Sequence, residues 1–155
     1  MSINLLKRME SSVHSFLLTV QRVYQYLYET DQIIDTFIKN GQGNLREMDN
    51  LSGAAADFDE DDQNTDFLSV GKKIQIDLGD MDYISWQRDI KADLETLSLL
   101  IGMVKDITPE YDYKLNQLIR VIQKKEAAPI NPDNRKILIF TAFADTAEYL
   151  YENIA

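Results

Sequence analysis

INLLKRMESSVHSFLLTVQRVYQYLYETDQIIDTFIKN, residues 3–40, returns an apolar side chain at every seventh position: Leu6, Val13, Val20, Leu27 and Ile34. Met9, Phe16, Val23, Thr30 and Phe37 interleave with them at alternating three- and four-residue steps, and Leu17, Tyr24 and Ile38 flank the two rows. Only a helix gathers positions so spaced onto one side. The stripe is wider than a minimal coiled-coil seam, so it suits the core-facing side of a bundle helix. The spacing predicts one continuous helix over 3–40, about 57 Å long at 1.5 Å per residue. Asn40-Gly41 ends it with a pair suited to a left-handed cap.

Beyond Gly41 the periodicity stops. Residues 41–66 hold eight acidic residues and one basic, and GAAADFDEDDQNTD offers too little apolar surface to order itself, so an acidic, solvated loop is expected. Most of the formal charge of −10 therefore belongs to this loop, and the rest of the chain is close to neutral. In KKIQIDLGDMD, Ile74, Ile76 and Leu78 alternate as in a short strand or an extended lead-in. Helical spacing resumes at Ile84, Ile90, Leu94, Leu97, Ile101 and Val104, with Trp86 near the start. Thr108-Pro109 reads as the cap and first residue of a third helix, whose buried side would be Tyr111, Leu115, Leu118 and Ile122. Two such helices can cover the stripe of the first as an antiparallel bundle.

After the linker KKEAAPINPDN the pattern changes. Ile137, Leu138, Ile139 and Phe140 form a continuous apolar run, the mark of a strand covered on both faces. Thr141-Ala142-Phe143 would turn the chain, Asp145 would favour the start of a helix by charge and capping, and Ala147, Leu150, Tyr151 and Ile154 would be that helix's buried side. The expected class is mainly α: an antiparallel helical bundle with one very long N-terminal helix over 1–126, then a linker and a single βα unit over 127–155. One such strand presupposes neighbours in a sheet that these residues do not supply.

The 155 residues, 45% hydrophobic, are enough for a domain with its own core. The chain has no cysteine, which excludes disulfides, thiolate metal sites and thiol nucleophiles. No apolar run reaches a membrane span and no signal-peptide core opens the chain, so a cytoplasmic protein without membrane contact is the expectation.

Asp57, Asp59 and Asp61 have the opening spacing of a calcium loop, but Asp62 and Leu68 stand where that loop needs Gly and Glu. His14, the single histidine, lies four residues after Glu10 and reads as a surface ion-pair position. Asp89 and Asp93 are explained by an exposed helix side. No phosphate-cradling glycine loop, Ser–His–Asp set or metal-ligand set is visible, so no catalytic residue is assigned. Lys7, Arg8, Ser11 and Ser12 combine two cations and two hydroxyls near a helix start, a group able to hold phosphate oxygens. The same four residues also suit a solvated face with two small side chains allowing close packing.

KILIFTAFADTAEYLYENI resembles the opening of the second RecA-like lobe of superfamily-two helicases and Swi/Snf-type DNA translocases, in which a strand of this kind is followed by D-T-A-x-Y-L on a helix. LLKRMESSVHSF resembles the segment that follows the first lobe in bacterial members, where K-R-x-x-S-S opens an inter-lobe helix. The resemblance implies a connector between the two motor lobes of a larger ATP-dependent enzyme acting on nucleic acid, with DNA the expected kind. It implies ATP and magnesium for that parent and no nucleotide for this segment, which lacks the lysine loop, the acidic magnesium motif and the arginine finger. It also implies nucleic-acid contact for Thr141 and Phe143 and places Lys7, Arg8, Ser11 and Ser12 at the lobe junction. The remainder of the motor would be the partner. The competing reading is a free-standing helical interaction module without enzymatic role, whose stripe receives a partner helix or a second copy. Calcium titration tests the incomplete acidic loop, with melting temperature and far-ultraviolet dichroism expected to stay unchanged at millimolar metal.

Overall fold

The computed structural model describes residues 2–40, 78 and 81–154. Five helices are formed among them: α1 (Ser2–Ser11), α2 (Val13–Asn40), α3 (Tyr83–Val104), α4 (Tyr113–Ala127) and α5 (Ala144–Ile154). The protein is thus mainly α. The acidic loop, with its calcium spacing, and the alternating Ile74 and Ile76 lie outside the described residues.

The expected single helix over 3–40 is two helices. Ser12 interrupts it, because its hydroxyl accepts a hydrogen bond from the Ser15 amide at 3.0 Å and so caps α2 locally. The backbone ladder nevertheless continues through the junction, from Ser12 to the Arg8 carbonyl (2.9 Å) and from Phe16 to the Ser12 carbonyl (3.1 Å).

Contacts divide the described residues into two compact units, one within 18–103 and the other made of 2–17 with 104–154. In the first, Ile34, Leu78 and Ile90 are buried together, with Leu27, Phe37, Trp86 and Leu94 packed against them. The pairs Phe37–Tyr83, Asp35–Gln87 and Asp31–Lys91 run in opposite sequence directions, so α2 and α3 are antiparallel. Gln87 Nε2 donates to Asp35 at 2.5 Å, and Lys91 Nζ stands 3.6 Å from Asp31 and 3.8 Å from Asp35. Asp82 starts α3 by accepting from the Ser85 amide at 3.1 Å. Ile84, expected inside, is 66% exposed, because α3 turns the Trp86, Gln87 and Ile90 side toward α2.

In the second unit, α4 begins four residues later than Thr108-Pro109 implies. Asp112 is its cap, accepting from the Lys114 and Leu115 amides, while Thr108 spends its carbonyl on the turn formed by Tyr111 and Asp112. Tyr111 therefore precedes the helix and is exposed, and Leu115 is the buried residue of α4. On α5 the inward side is Asp145, Thr146 and Tyr149, so Ala147 and Tyr151, expected inside, are exposed.

The expected strand at 137–140 is not formed. A strand exists through its ladder to a neighbour, and among the described residues none pairs with this segment. The segment is non-helical, and Lys125 Nζ donates to the Lys136 carbonyl at 2.5 Å at its start. Ile137 and Thr141 are half-buried, whereas Leu138 is 83% and Phe140 90% exposed. The linker before it does turn as its composition suggests, with Asp133 at φ 65° and Asn134 bonded to the Asn131 carbonyl.

The seven-residue stripe is buried unevenly: Val20 and Ile34 are fully buried, while Leu6 and Met9 on α1 are exposed. Ile34→Ala is expected to cost about 2–5 kcal/mol and Val20→Asp at least as much, whereas Leu6→Ala stays within about 0.5 kcal/mol. Chemical denaturation of the three variants checks this, and equal losses at positions 6 and 34 would overturn the uneven burial.

Candidate functional site

The end of α1 and the turn leading into α5 meet through side chains from opposite ends of the sequence. Arg8, on the last turns of α1, is 3% exposed. Its Nη1 donates to Asp145 Oδ2 at 2.9 Å and to Ser15 Oγ at 3.3 Å. The guanidinium carbon lies 4.7 Å from the Phe143 ring centroid, within cation–π range. Ser11 shares hydrogen bonds with Thr141 (3.3 Å) and Thr146 (2.9 Å), and Ser12 shares one with Thr146 (3.1 Å).

The turn is also held from within. Thr141 Oγ1 accepts from the Phe143 amide at 3.3 Å, and the Phe143 carbonyl accepts from the Thr146 and Ala147 amides, both at 3.1 Å, opening α5. Lys114 Nζ donates to the Ser11 carbonyl at 3.0 Å and to the Glu10 carbonyl, placing a cation at the carbonyl end of α1. Asp112 joins the group from the other side, since Tyr149 donates its hydroxyl proton to Asp112 Oδ2 at 3.1 Å. The Tyr149 ring stacks on His14 with centroids 4.6 Å apart and planes 7° from parallel.

Of the residues singled out for phosphate or nucleic-acid contact, Arg8, Ser11, Ser12, Thr141 and Phe143 come together and Lys7 does not; it is exposed on α1. Arg8 is neutralised by a buried carboxylate rather than presented to solvent. His14 is not a surface partner of Glu10: its position one turn after Glu10 faces α5, where Tyr149 takes its ring. Asp89 and Asp93 lie exposed as expected. Lys114, Asp112, Thr146 and Tyr149 were not legible as part of the group, although Asp112 stands one residue before a helical run, an ordinary capping signal that the Thr-Pro pair upstream obscures.

A groove of about 370 Å³ opens beside the hydroxyls, with Ser11, Thr141 and Lys114 on a polar side and Leu118, Phe140 and Leu150 on an apolar one. Its hydroxyls bond to one another. Among the described residues no cluster of three or more His, Asp or Glu side chains is arranged to hold a metal. No protein-family model, curated protein or solved structure matches the chain.

Tyr149 is pushed well above the ordinary tyrosine value, first by burial and then by the Asp112 carboxylate to which it is bonded. The fold keeps the neutral phenol, so its contribution to stability is complete below a pH of about 10 and is lost as pH rises through the raised value. In an alkaline titration followed by phenolate absorbance, one of the eight tyrosines is expected to ionise only as the protein unfolds. Asp112→Ala should move that ionisation to lower pH and destabilise by about 1–3 kcal/mol through the lost cap.

Proposed function

We propose that the chain is the helical connector between the two motor lobes of an ATP-dependent helicase or DNA translocase, carrying the first strand and helix of the second lobe. One observation supports this above others: the two segments that resemble the family, some 130 residues apart, touch each other directly, Arg8 and Ser11 of one meeting Asp145 and Thr141 of the other. A connector that joins lobe to lobe has to bring those two segments to a common junction. The alternation at 137–141, half-buried at Ile137 and Thr141 and open at Leu138 and Phe140, fits a strand whose sheet neighbours belong to the rest of a second lobe.

On this reading Thr141 and Phe143 face the nucleic-acid backbone, and Lys7, apart from them on α1, adds an exposed cation. ATP and magnesium belong to the parent. The residues here do not fit them: the buried cation Arg8 is already spent on Asp145, and no phosphate-cradling loop is present, so no step of hydrolysis is assigned to this chain. A helical interaction module is the second reading, favoured by the exposure of Leu6 (60%) and Met9 (49%) on a stripe otherwise turned inward.

The coding sequence on either side, and the ATPase activity of its product, separate the two. The 155-residue chain alone is expected to turn over no ATP, and the product with both lobes should show nucleic-acid-stimulated turnover. In that product Thr141→Ala should lower stimulation more than it lowers melting temperature, and Lys7→Glu should raise the nucleic-acid concentration needed. Flanking sequence without a phosphate-gripping lysine loop would sink the motor reading in favour of the module.

A further inference from the structure

We infer that Arg8 is a positioning residue and not a phosphate ligand: with Asp145 it forms a buried clasp that presets the turn from Thr141 to Ala147. The clasp is read from geometry alone; its consequence for nucleic acid rests on the function proposed above. Arg8 and Asp145 are 3% and 7% exposed and 2.9 Å apart. An anion reaching this guanidinium would have to displace a carboxylate already bonded to it and enter a space closed to solvent, two costs that an exposed lysine does not impose.

Arg8 fixes the turn in two ways at once. Its edge holds Asp145 and its face covers Phe143, so the residues on both sides of Ala144, where α5 begins, are set by one planar group. Phe143 in turn supplies the carbonyl that receives the Thr146 and Ala147 amides, and its own amide is received by Thr141. Ser11 and Ser12 add contacts to Thr141 and Thr146, but a hydroxyl rotates and shares one proton, whereas the guanidinium is rigid and always charged. The orientation of Thr141 and Phe143 therefore depends on Arg8, a side chain from the opposite end of the sequence, through a pair with Asp145 that spans 137 positions.

The test uses the full chain and three variants: Arg8→Gln, Asp145→Asn and the double substitution. Amide exchange at Thr146 and Ala147 is read in each, and binding of a fluorescein-labelled single-stranded oligonucleotide is read at several salt concentrations. The clasp predicts that each single variant speeds exchange at both amides on the order of tenfold or more, because each removes one charge of a buried ion pair and leaves the other without its counter-charge in that pair. The double variant, with neither charge, should return toward the wild-type rate. Both single variants should weaken oligonucleotide binding by a similar factor with the salt dependence unchanged. A phosphate-ligand role for Arg8 predicts the opposite sign at the second position: Asp145→Asn would tighten binding, and Arg8→Gln would reduce the salt slope by about one. That pattern, or unaltered exchange in Asp145→Asn, overturns the clasp. If no protein in the series binds the oligonucleotide, the nucleic-acid reading fails, while the exchange rates still decide the clasp. Should Arg8→Gln not fold, Arg8→Lys keeps the charge without the planar fork and is expected to speed exchange at the same two amides.

Discussion

A guanidinium with 3% of its surface exposed must be neutralised where it sits, since an uncompensated charge in that environment costs more than a small domain can spare. Asp145 provides the neutralisation, and most of what is ordered around the second unit's centre follows from bringing these two groups together. The hydroxyls of Ser11, Ser12, Thr141 and Thr146 make their contacts beside the ion pair. Phe143 lies against the face of the guanidinium. A buried pair of this sort contributes modest net stability compared with apolar side chains of equal volume, but it accepts very few geometries. The contact between the α1 end and the α5 start is therefore better defined than it is strong.

The two units differ in kind. The first has an apolar centre of Ile34, Leu78 and Ile90, whose contacts are non-directional and tolerate small rearrangements. In the second, Arg8, Ser12, Ser15, Asp112, Asp145 and Thr146 are buried beside only a few large apolar residues such as Phe16, Leu115 and Tyr149. A centre that is largely polar is satisfied only when each donor meets its acceptor, so it discriminates strongly against near alternatives.

Periodicity identified the helices and the side of α2 that turns inward, because a repeat of seven reports directly on a helix face. It could not report what lies opposite that face. Leu6 and Val20 occupy equivalent places in the repeat, yet Val20 is enclosed and Leu6 is open, since enclosure depends on a neighbour that spacing does not encode. Arg8 was legible as a cation among hydroxyls but not as an inward one; a pairing across 137 positions leaves no local trace. Helix starts were decided by local competition: Thr108-Pro109 and Asp112 both suit a cap, and the carboxylate, which accepts two amides, prevails. The apolar run at 137–140 has strand composition, but composition alone cannot provide the adjoining backbone that a ladder requires.

The open side of that run also bears on how copies of this chain behave in concentrated solution. Leu138 and Phe140 are exposed on a non-helical stretch that no strand covers among the described residues, and an apolar run of this composition is one onto which an identical run can add. Arg135 and Lys136, both exposed, stand immediately before it. Two adjoining positive charges would be superimposed by in-register stacking of copies, so the same few residues that invite accretion also carry the gatekeepers that oppose it. Colloidal stability of the chain should then weaken as salt screens those charges.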